Sequence, residues 1–175
     1  MTDAPAASVH ASAVLVGNRA VLIRGPSGAG KSRLAFDLIL AGRSGQIPQA
    51  VLVGDDRVHL DVSQEQLVVR PARELAGLIE IRGLGIRHCD FAAEAIVGLL
   101  VDLAAADAER LPPPEALLTC ISGIKIPRIP VGAGFAALPL VVAALTMTAS
   151  SSSNHLSANC SKGIGNHMST TIATE

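Results

Sequence analysis

The stretch that most constrains this chain is residues 25–32, which match the phosphate-binding P-loop pattern G-x-x-x-x-G-K-[ST]. The apolar run Ala20-Val21-Leu22-Ile23 precedes it, as a buried strand would, and an amphipathic run from Arg33 to Leu40 follows it, as a helix would. In that setting glycines let successive backbone N–H groups point at one phosphate, and the helix N-terminus adds partial positive charge. The pattern therefore predicts a nucleoside triphosphate site built from Gly25, Pro26, Ser27, Gly28, Ala29, Gly30, Lys31 and Ser32.

The last two residues of this motif have individual roles in such a site. Lys31 would reach the β- and γ-phosphates, and the Ser32 hydroxyl would hold Mg²⁺. The alternative is an ordinary glycine-rich turn before a helix, which the flanking strand and helix patterns disfavour.

The rest of the chain alternates short strand-like runs with turns, which indicates an α/β domain with few helices. Two β-hairpins are predicted, with turns at Gly17-Asn18 and at Gln64-Glu65-Gln66. Residues 92–103 are ambiguous, because their alanines favour helix whereas their β-branched residues favour a buried strand. The predicted strands are 8–16, 20–23, 50–53, 58–62, 67–70, 78–81, 116–121 and 124–126.

Three helical segments are predicted. The first runs from Lys31 to about Ala41-Gly42, where Gly42 would supply the C-terminal cap. A single turn begins with Pro71 at its first position, and the last helix covers residues 135–147.

The length of 175 residues suggests one domain, which we expect over residues 8–148. Residues 1–7 are Ala/Pro-rich and expected to be loose, and residues 149–175 form a polar Ser/Asn/Thr-rich tail that we expect to be disordered. The formal net charge of −1 gives no basic field, so no nucleic-acid partner is expected.

The expected compartment is the cytoplasm. The N-terminus has no basic region followed by an apolar stretch, so it is not a signal peptide. The longest apolar run contains Pro139 and is too short to span a bilayer, so no membrane association is expected. Three scattered cysteines form no disulfide framework, which suits a reducing environment.

A P-loop site also needs a carboxylate at the end of a neighbouring strand. Asp55 and Asp56 directly follow the apolar strand 50–53, where one carboxylate can stay on the metal while the other accepts a proton. A polar turn is the alternative. Glu80 lies in an apolar strand, where it is either aimed at a cation or solvent-exposed in a salt bridge with Arg82. His10 is a lone histidine on a strand, a setting that is more often structural than catalytic.

The segment Glu80-Ile81-Arg82-Gly83-Leu84-Gly85-Ile86 resembles the E-I-R-G-[LI]-G-I signature of the HPr kinase/phosphorylase family. The order of features is also similar: a histidine in the first strand, the P-loop, a helix, an Asp-Asp pair and then this signature. The resemblance covers residues 8–147. It implies a P-loop kinase-like core related to phosphoenolpyruvate carboxykinase, with a mixed sheet and few helices, and it resolves residues 92–103 toward strand.

The implied activity is Mg²⁺-dependent transfer of phosphate from ATP to a serine of HPr, a small phosphocarrier, with removal by phosphorolysis as the reverse function. By this resemblance Lys31 would bind the β- and γ-phosphates, and Ser32 and Glu80 would hold Mg²⁺. Asp56 would be the general base toward the serine.

Three further residues receive roles from the same resemblance. Asp55 would assist at the metal, His10 would tune the Asp pair, and Arg110 would contact phosphate. The family forms hexamers, so a homo-oligomer is expected.

The chain departs from the family pattern in places. It resembles the short form of alphaproteobacteria, which starts at the catalytic core and whose acceptor can be a nitrogen-branch relative of HPr. Arg87 and His88 replace an apolar residue and an Asp. The segment Pro130–Phe135 lacks the positive residues tied to phosphorolysis and carrier docking, leaving Lys125 and Arg128 upstream. The kinase direction is therefore favoured over the phosphorylase direction.

Two other functions stay open at this stage. A nucleotide-binding sensor that has lost turnover and acts by docking is motivated by the missing basic segment. The retained Asp56 and Glu80 argue against it, because a pure binder needs no general base. A small-molecule kinase fits the P-loop but not residues 80–86.

Overall fold

The computed structural model describes residues 8–148, in which eleven strands and two α-helices form. The strands are β1 Ser8–Val9, β2 Ser12–Val16, β3 Arg19–Arg24, β4 Ala50–Gly54, β5 Val58–Ser63, β6 Gln66–Pro71, β7 Leu78–Ile81, β8 Gly85–His88, β9 Ala95–Leu103, β10 Leu118–Ile121 and β11 Ile124–Val131. The helices are α1 Lys31–Arg43 and α2 Leu138–Thr146, and short 3₁₀ turns form at Arg73–Leu75 and Pro114–Leu117.

Strand β9 organises a nine-stranded mixed sheet with the order β1-β5-β6-β9-β3-β2-β4. It pairs in parallel with β3, antiparallel with β6 through Ala95 and Ile96, and in parallel with β11 near its C-terminal end. Strand β10 joins the sheet through β11, while β7 and β8 form a separate two-stranded hairpin. The carboxyl ends of three parallel strands, β3, β9 and β11, therefore lie side by side, next to the start of the loop that leads to α1.

Both faces of the sheet are covered by apolar side chains. Val21 and Ile23 belong to a core cluster that includes residues of α1 and α2. The alternating residues Ala20 and Leu22 belong to a second cluster, which contains Ala11 and residues of the strands. Because successive side chains of a strand point to opposite faces, burial on both faces explains why residues 20–23 of β3 are continuously apolar.

Several predictions from the sequence are confirmed. The hairpins β2–β3 and β5–β6 form where the turn residues indicated, and residues 95–103 are a strand, as the family resemblance implied. The mixed sheet with few helices is confirmed as well.

Other predictions were wrong in detail. The strand predicted over 8–16 is interrupted, so His10 lies on a bend between β1 and β2. Pro71 ends β6, and the 3₁₀ turn begins only at Arg73. The last helix is shorter than predicted, since it begins at Leu138 with Pro139 in its first turn.

Gly42 does not cap α1, which was also predicted wrongly. The helix continues to Arg43, and Ser44 is its C-cap. A Cβ on Gly42 would lie 2.7 Å from the backbone nitrogen of Ala50 and 2.8 Å from its Cβ. This glycine therefore permits close packing of α1 against β4, whereas Gly45, with φ 75°, adopts the left-handed conformation beyond the helix.

The predictions for residues 1–7 and 149–175 lie outside the described residues. Between residues 8 and 148 neither helix has the length and apolar character needed to cross a lipid bilayer.

Candidate active site

The loop between β3 and α1 has a backbone shape that depends on glycine. Gly25, Gly28 and Gly30 have φ values of 150°, 80° and 97°. A Cβ on Gly25 would lie 2.9 Å from both the Cβ and the carbonyl oxygen of Leu103. The loop therefore starts in close contact with the end of β9, and a larger residue at position 25 would push the two apart.

The N-terminus of α1 offers unpaired donors to a ligand. Gly30 is the N-cap, no side chain caps the first turn, and the first turn contains no acidic residue. The N–H groups of that turn thus carry the partial positive charge of a helix N-terminus without a protein carboxylate to neutralise it. This arrangement suits the phosphate groups of a nucleotide.

Lys31 lies across the base of the same loop. Lys31 is 6% exposed, and its Nζ donates hydrogen bonds to the carbonyl oxygens of Gly25 at 3.0 Å and Pro26 at 3.1 Å. The ammonium group is thereby held within the loop rather than extended into solvent.

An open cleft of about 680 Å³ lies in front of the loop. It collects most of the residues that the sequence singled out. Those lining it are His10, Ser27, Gly28, Gly30, Lys31, Ser32, Asp56 and Glu80. The cleft therefore joins a candidate phosphate site with candidate acid–base and metal-binding groups.

Asp56 lies beside His10 at the wall of this cleft. The distance from His10 Nε2 to Asp56 Oδ1 is 3.3 Å, and the side chains are 46% and 66% exposed. Asp56 has a φ of 66°, and the N–H of Arg57 donates to the carbonyl oxygen of Asp55 at 2.8 Å. This is a γ-turn with positive φ at its central residue, which is the rarer and more strained form.

Asp55 points the other way, into the protein. It is 3% exposed and is not among the residues that line the cleft. Its Oδ1 accepts a hydrogen bond from Ser12 Oγ at 2.6 Å, and its Oδ2 accepts one from the backbone N–H of Glu80 at 3.1 Å. The adjacent carboxylates therefore occupy different environments.

The cleft offers oxygen donors for a cation from two elements. Ser32 lies in the first turn of α1 and Glu80 in the β7–β8 hairpin. Over residues 8–148 no group of three His, Cys, Asp or Glu side chains is arranged to hold a metal. A sparse hydroxyl and carboxylate pair nevertheless fits Mg²⁺, which commonly keeps several waters and binds together with substrate phosphates.

Arg110 is not brought into this cleft. It lies in the exposed stretch after β9 and is absent from the cleft lining. Its contact with phosphate stays a prediction.

An ion-pair cluster behind the loop was missed by the sequence reasoning. Asp102 accepts hydrogen bonds from Arg24 Nε at 2.8 Å and from Arg128 Nε at 2.6 Å. Arg128 also donates to Asp107 at 2.6 Å and to the carbonyl oxygen of Ala116 at 3.0 Å. Because Arg24 directly precedes Gly25, the cluster anchors the start of the loop to β9 and β11. The available signal was one acidic residue, Asp102, in the apolar strand β9, together with arginines in the two neighbouring strands β3 and β11.

The pKa of Asp102 reports the strength of this cluster. Burial raises that pKa, but the hydrogen bonds from Arg24 and Arg128 outweigh burial and hold it below its usual range. The hydrogen bond from Arg128 likewise lowers the pKa of Asp107. Such a carboxylate stabilises the fold fully above its unfolded-state pKa of about 3.9. The contribution is lost as the pH falls through the lower folded-state value.

Asp102→Asn is expected to lower the free energy of unfolding by about 2 kcal/mol at neutral pH, because two guanidinium groups lose a charged acceptor. The difference from wild type should shrink as the pH falls below about 3.9. Urea unfolding over a pH series measures both effects. Asp61→Asn is the control, since Asp61 pairs with Arg70 and its side chain is 36% exposed. This substitution should lower the free energy of unfolding by less than about 1 kcal/mol. An Asp102→Asn cost that does not change with pH would contradict the assignment.

Comparisons with known proteins agree on one family. The family model of the HPr Serine kinase C-terminal domain matches residues 2–159. The HPr kinase/phosphorylase of Enterococcus faecalis is 38% identical over 141 residues, which cover 73% of this chain and 43% of that protein. That of Geobacillus kaustophilus is 39% identical over 115 residues, covering 61% of this chain and 35% of that protein.

The chain spans less than half the length of these curated relatives. A solved structure, the Hpr(Ser) kinase/phosphatase of Coxiella burnetii, superposes with a TM-score of 0.63 at 28% identity, covering 79% of this chain and 93% of that chain. The family that residues 80–86 indicated is thereby confirmed, together with the mixed α/β fold. The chain belongs to the family of the HPr serine kinase C-terminal domain.

Proposed function

We propose that this protein transfers the γ-phosphoryl group of ATP to a serine hydroxyl of HPr or a related small phosphocarrier, in a Mg²⁺-dependent reaction. The observation that carries this proposal is the cleft itself. One opening presents Lys31 in its glycine-rich loop, the His10–Asp56 pair and Glu80. Membership of the family adds support for this reaction.

The loop and the start of α1 would bind and orient the triphosphate. The free N–H groups of the first helical turn and the Lys31 ammonium provide positive charge where the β- and γ-phosphates would lie. Ser32 and Glu80 would hold Mg²⁺, which when bound neutralises negative charge on the phosphate oxygens.

Asp56 would accept the proton of the attacking serine hydroxyl. His10 Nε2 at 3.3 Å orients this carboxylate, and the strained turn at Asp56 directs it outward. An exposed base in an open cleft suits a serine carried on the surface of another protein. A kinase for a small metabolite would need a more enclosed pocket to bind its acceptor.

The kinase direction is favoured over phosphorolysis. The segment Pro130–Phe135 carries no cationic side chain. Just upstream, Arg128 is engaged by Asp102 and Asp107, with its side chain only 13% exposed. Lys125 is exposed in β11 but does not line the cleft. Neither this segment nor the two upstream cations therefore supply free positive charge in the cleft for an attacking inorganic phosphate. The nucleotide-sensor alternative does not account for the Asp56–His10 pair facing the cleft.

The direct assay incubates the protein with γ-labelled ATP, Mg²⁺ and purified HPr. We expect label on HPr that requires both the protein and Mg²⁺. Tight ATP binding without label on any HPr-like acceptor would contradict the proposal and favour the sensor. Adding inorganic phosphate to phosphorylated HPr tests the reverse direction, in which we expect much slower release of pyrophosphate.

A further inference from the structure

We propose that Ser12 and Asp55 form a buried brace that positions the general base Asp56 and the metal-binding Glu80, and that Asp55 itself binds no metal. Ser12 is thereby a positioning residue. This inference rests on the proposed function for the roles of Asp56 and Glu80. It concerns how the site is held in shape, which neither the sequence motifs nor the family comparison addresses.

Burial and hydrogen bonding set this pair apart from the open cleft beside it. Ser12 is 0% exposed and Asp55 3% exposed. The Ser12 hydroxyl is 2.6 Å from Asp55 Oδ1, which is a short, charge-assisted hydrogen bond. A buried carboxylate is costly unless its oxygens are paired, so Ser12 and the Glu80 N–H are the groups that allow Asp55 to lie inside the protein.

On one side the brace fixes the turn that presents Asp56. The carbonyl oxygen of Asp55 accepts the hydrogen bond from Arg57 N–H that closes the γ-turn around Asp56. A strained turn of this kind persists only where its surroundings over-determine it. Holding the Asp55 side chain through Ser12 fixes one end of the turn, so the Asp56 carboxylate stays directed at the cleft and at His10.

On the other side the brace reaches the β7–β8 hairpin, which is not part of the large sheet. The N–H of Glu80 donates to Asp55 Oδ2 at 3.1 Å. This hydrogen bond ties the backbone of the residue that would hold Mg²⁺ to the turn that carries the base. The buried Asp55 carboxylate therefore fixes the position of Glu80 relative to Asp56.

The substitution Asp55→Asn distinguishes a hydrogen-bonding brace from a metal ligand or base at this position. An asparagine amide can keep both contacts, because its oxygen accepts from the Glu80 N–H and its NH₂ group donates to the Ser12 hydroxyl oxygen. A metal ligand or base would lose its charge in the same substitution. Asp55→Asn should therefore spare a brace and damage a metal ligand, whereas Asp55→Ala damages both.

The experiment compares Asp55→Asn, Asp55→Ala and Ser12→Ala in the full chain. For each variant the kcat of phosphoryl transfer to HPr, the KM for ATP and the Mg²⁺ concentration for half-maximal rate are measured. We expect Asp55→Ala and Ser12→Ala to lower kcat about 10- to 100-fold, with the KM for ATP changed less than about threefold. Asp55→Asn should lower kcat less than about tenfold and leave the Mg²⁺ requirement close to that of wild type.

Ser63→Ala is the matched control, because this serine lies at the exposed end of β5. Thermal unfolding establishes that each variant is folded at the assay temperature. An unchanged kcat in Ser12→Ala would overturn the brace. A loss of activity in Asp55→Asn as large as in Asp55→Ala, or a raised Mg²⁺ requirement in Asp55→Asn, would assign Asp55 to the metal or to proton transfer instead.

A second readout separates this inference from the proposed function. If wild-type protein transfers no phosphate to HPr, the proposed function fails, and the brace is then tested by Mg²⁺-dependent ATP binding measured calorimetrically. The brace requires that Asp55→Ala and Ser12→Ala weaken the Mg²⁺ dependence of this binding while Asp55→Asn keeps it. An equal Mg²⁺ dependence of ATP binding in all variants would overturn the brace in that case.

Discussion

Replacing Asp56 by asparagine is expected to lower kcat for phosphoryl transfer to HPr about 10³-fold while leaving the affinity for ATP nearly unchanged. Asparagine preserves the size of the side chain but cannot accept the serine proton. Asp56 is 66% exposed and lies beside His10, so the substitution removes the proposed proton acceptor without disturbing the core. Single-turnover kinetics and calorimetric ATP binding measure the two quantities separately.

The control for this experiment is Asp90→Asn, an exposed carboxylate outside the cleft. It should leave both quantities as in wild type. Near-normal transfer by Asp56→Asn would show that another group takes the proton. A large loss of ATP affinity in this variant would show that Asp56 acts on the nucleotide and its metal rather than on the acceptor.

Replacing Lys31 by methionine is expected to lower kcat/KM for ATP about 10³-fold. The Lys31 ammonium is held inside the glycine-rich loop by the carbonyl oxygens of residues 25 and 26. The proposed function places the β- and γ-phosphates beside it. Methionine fills a similar volume but carries no charge, so the loop loses its strongest attraction for the phosphates. Initial rates at varied ATP concentration measure the effect.

Arg43→Met is the matched control, because Arg43 is exposed in the last turn of the same helix. It removes one positive charge far from the loop and should change kcat/KM for ATP less than about threefold. Unfolding of the nucleotide-free Lys31→Met protein should occur at nearly the wild-type temperature. Normal ATP binding by folded Lys31→Met would contradict the role of the loop.

Local patterns explain why much of this fold could be predicted from the sequence. The loop at 25–32 has fixed glycine positions, and each hairpin has a turn of two adjacent residues, so the information lies within a few residues. The strand β9 was ambiguous from composition. The strand forms over Ala95–Leu103, where it pairs with β3, β6 and β11, whereas Ala92 and Ala93 lie outside it.

Long-range contacts explain what could not be predicted. The sequence placed Asp55 and Asp56 side by side, but the direction of each side chain depends on the γ-turn at Asp56 and on Ser12, forty-three positions away from Asp55. The contact of Arg24 with Asp102 likewise joins residues seventy-eight positions apart. The hydrophobic periodicity of a single segment does not indicate such pairs, because only the register of the assembled sheet brings them together.

The proposed activity of this cleft is the transfer of phosphate from ATP to a serine of another protein. The most direct measurement is mass spectrometry of HPr after incubation with the wild-type protein, Mg²⁺ and ATP labelled in its γ-phosphate, combined with an acid-stability test. This activity requires an acid-stable, labelled phosphoserine on HPr, formed by wild type and absent with Asp56→Asn. An acid-labile phosphohistidine, or release of labelled phosphate into water with HPr unmodified, would contradict it.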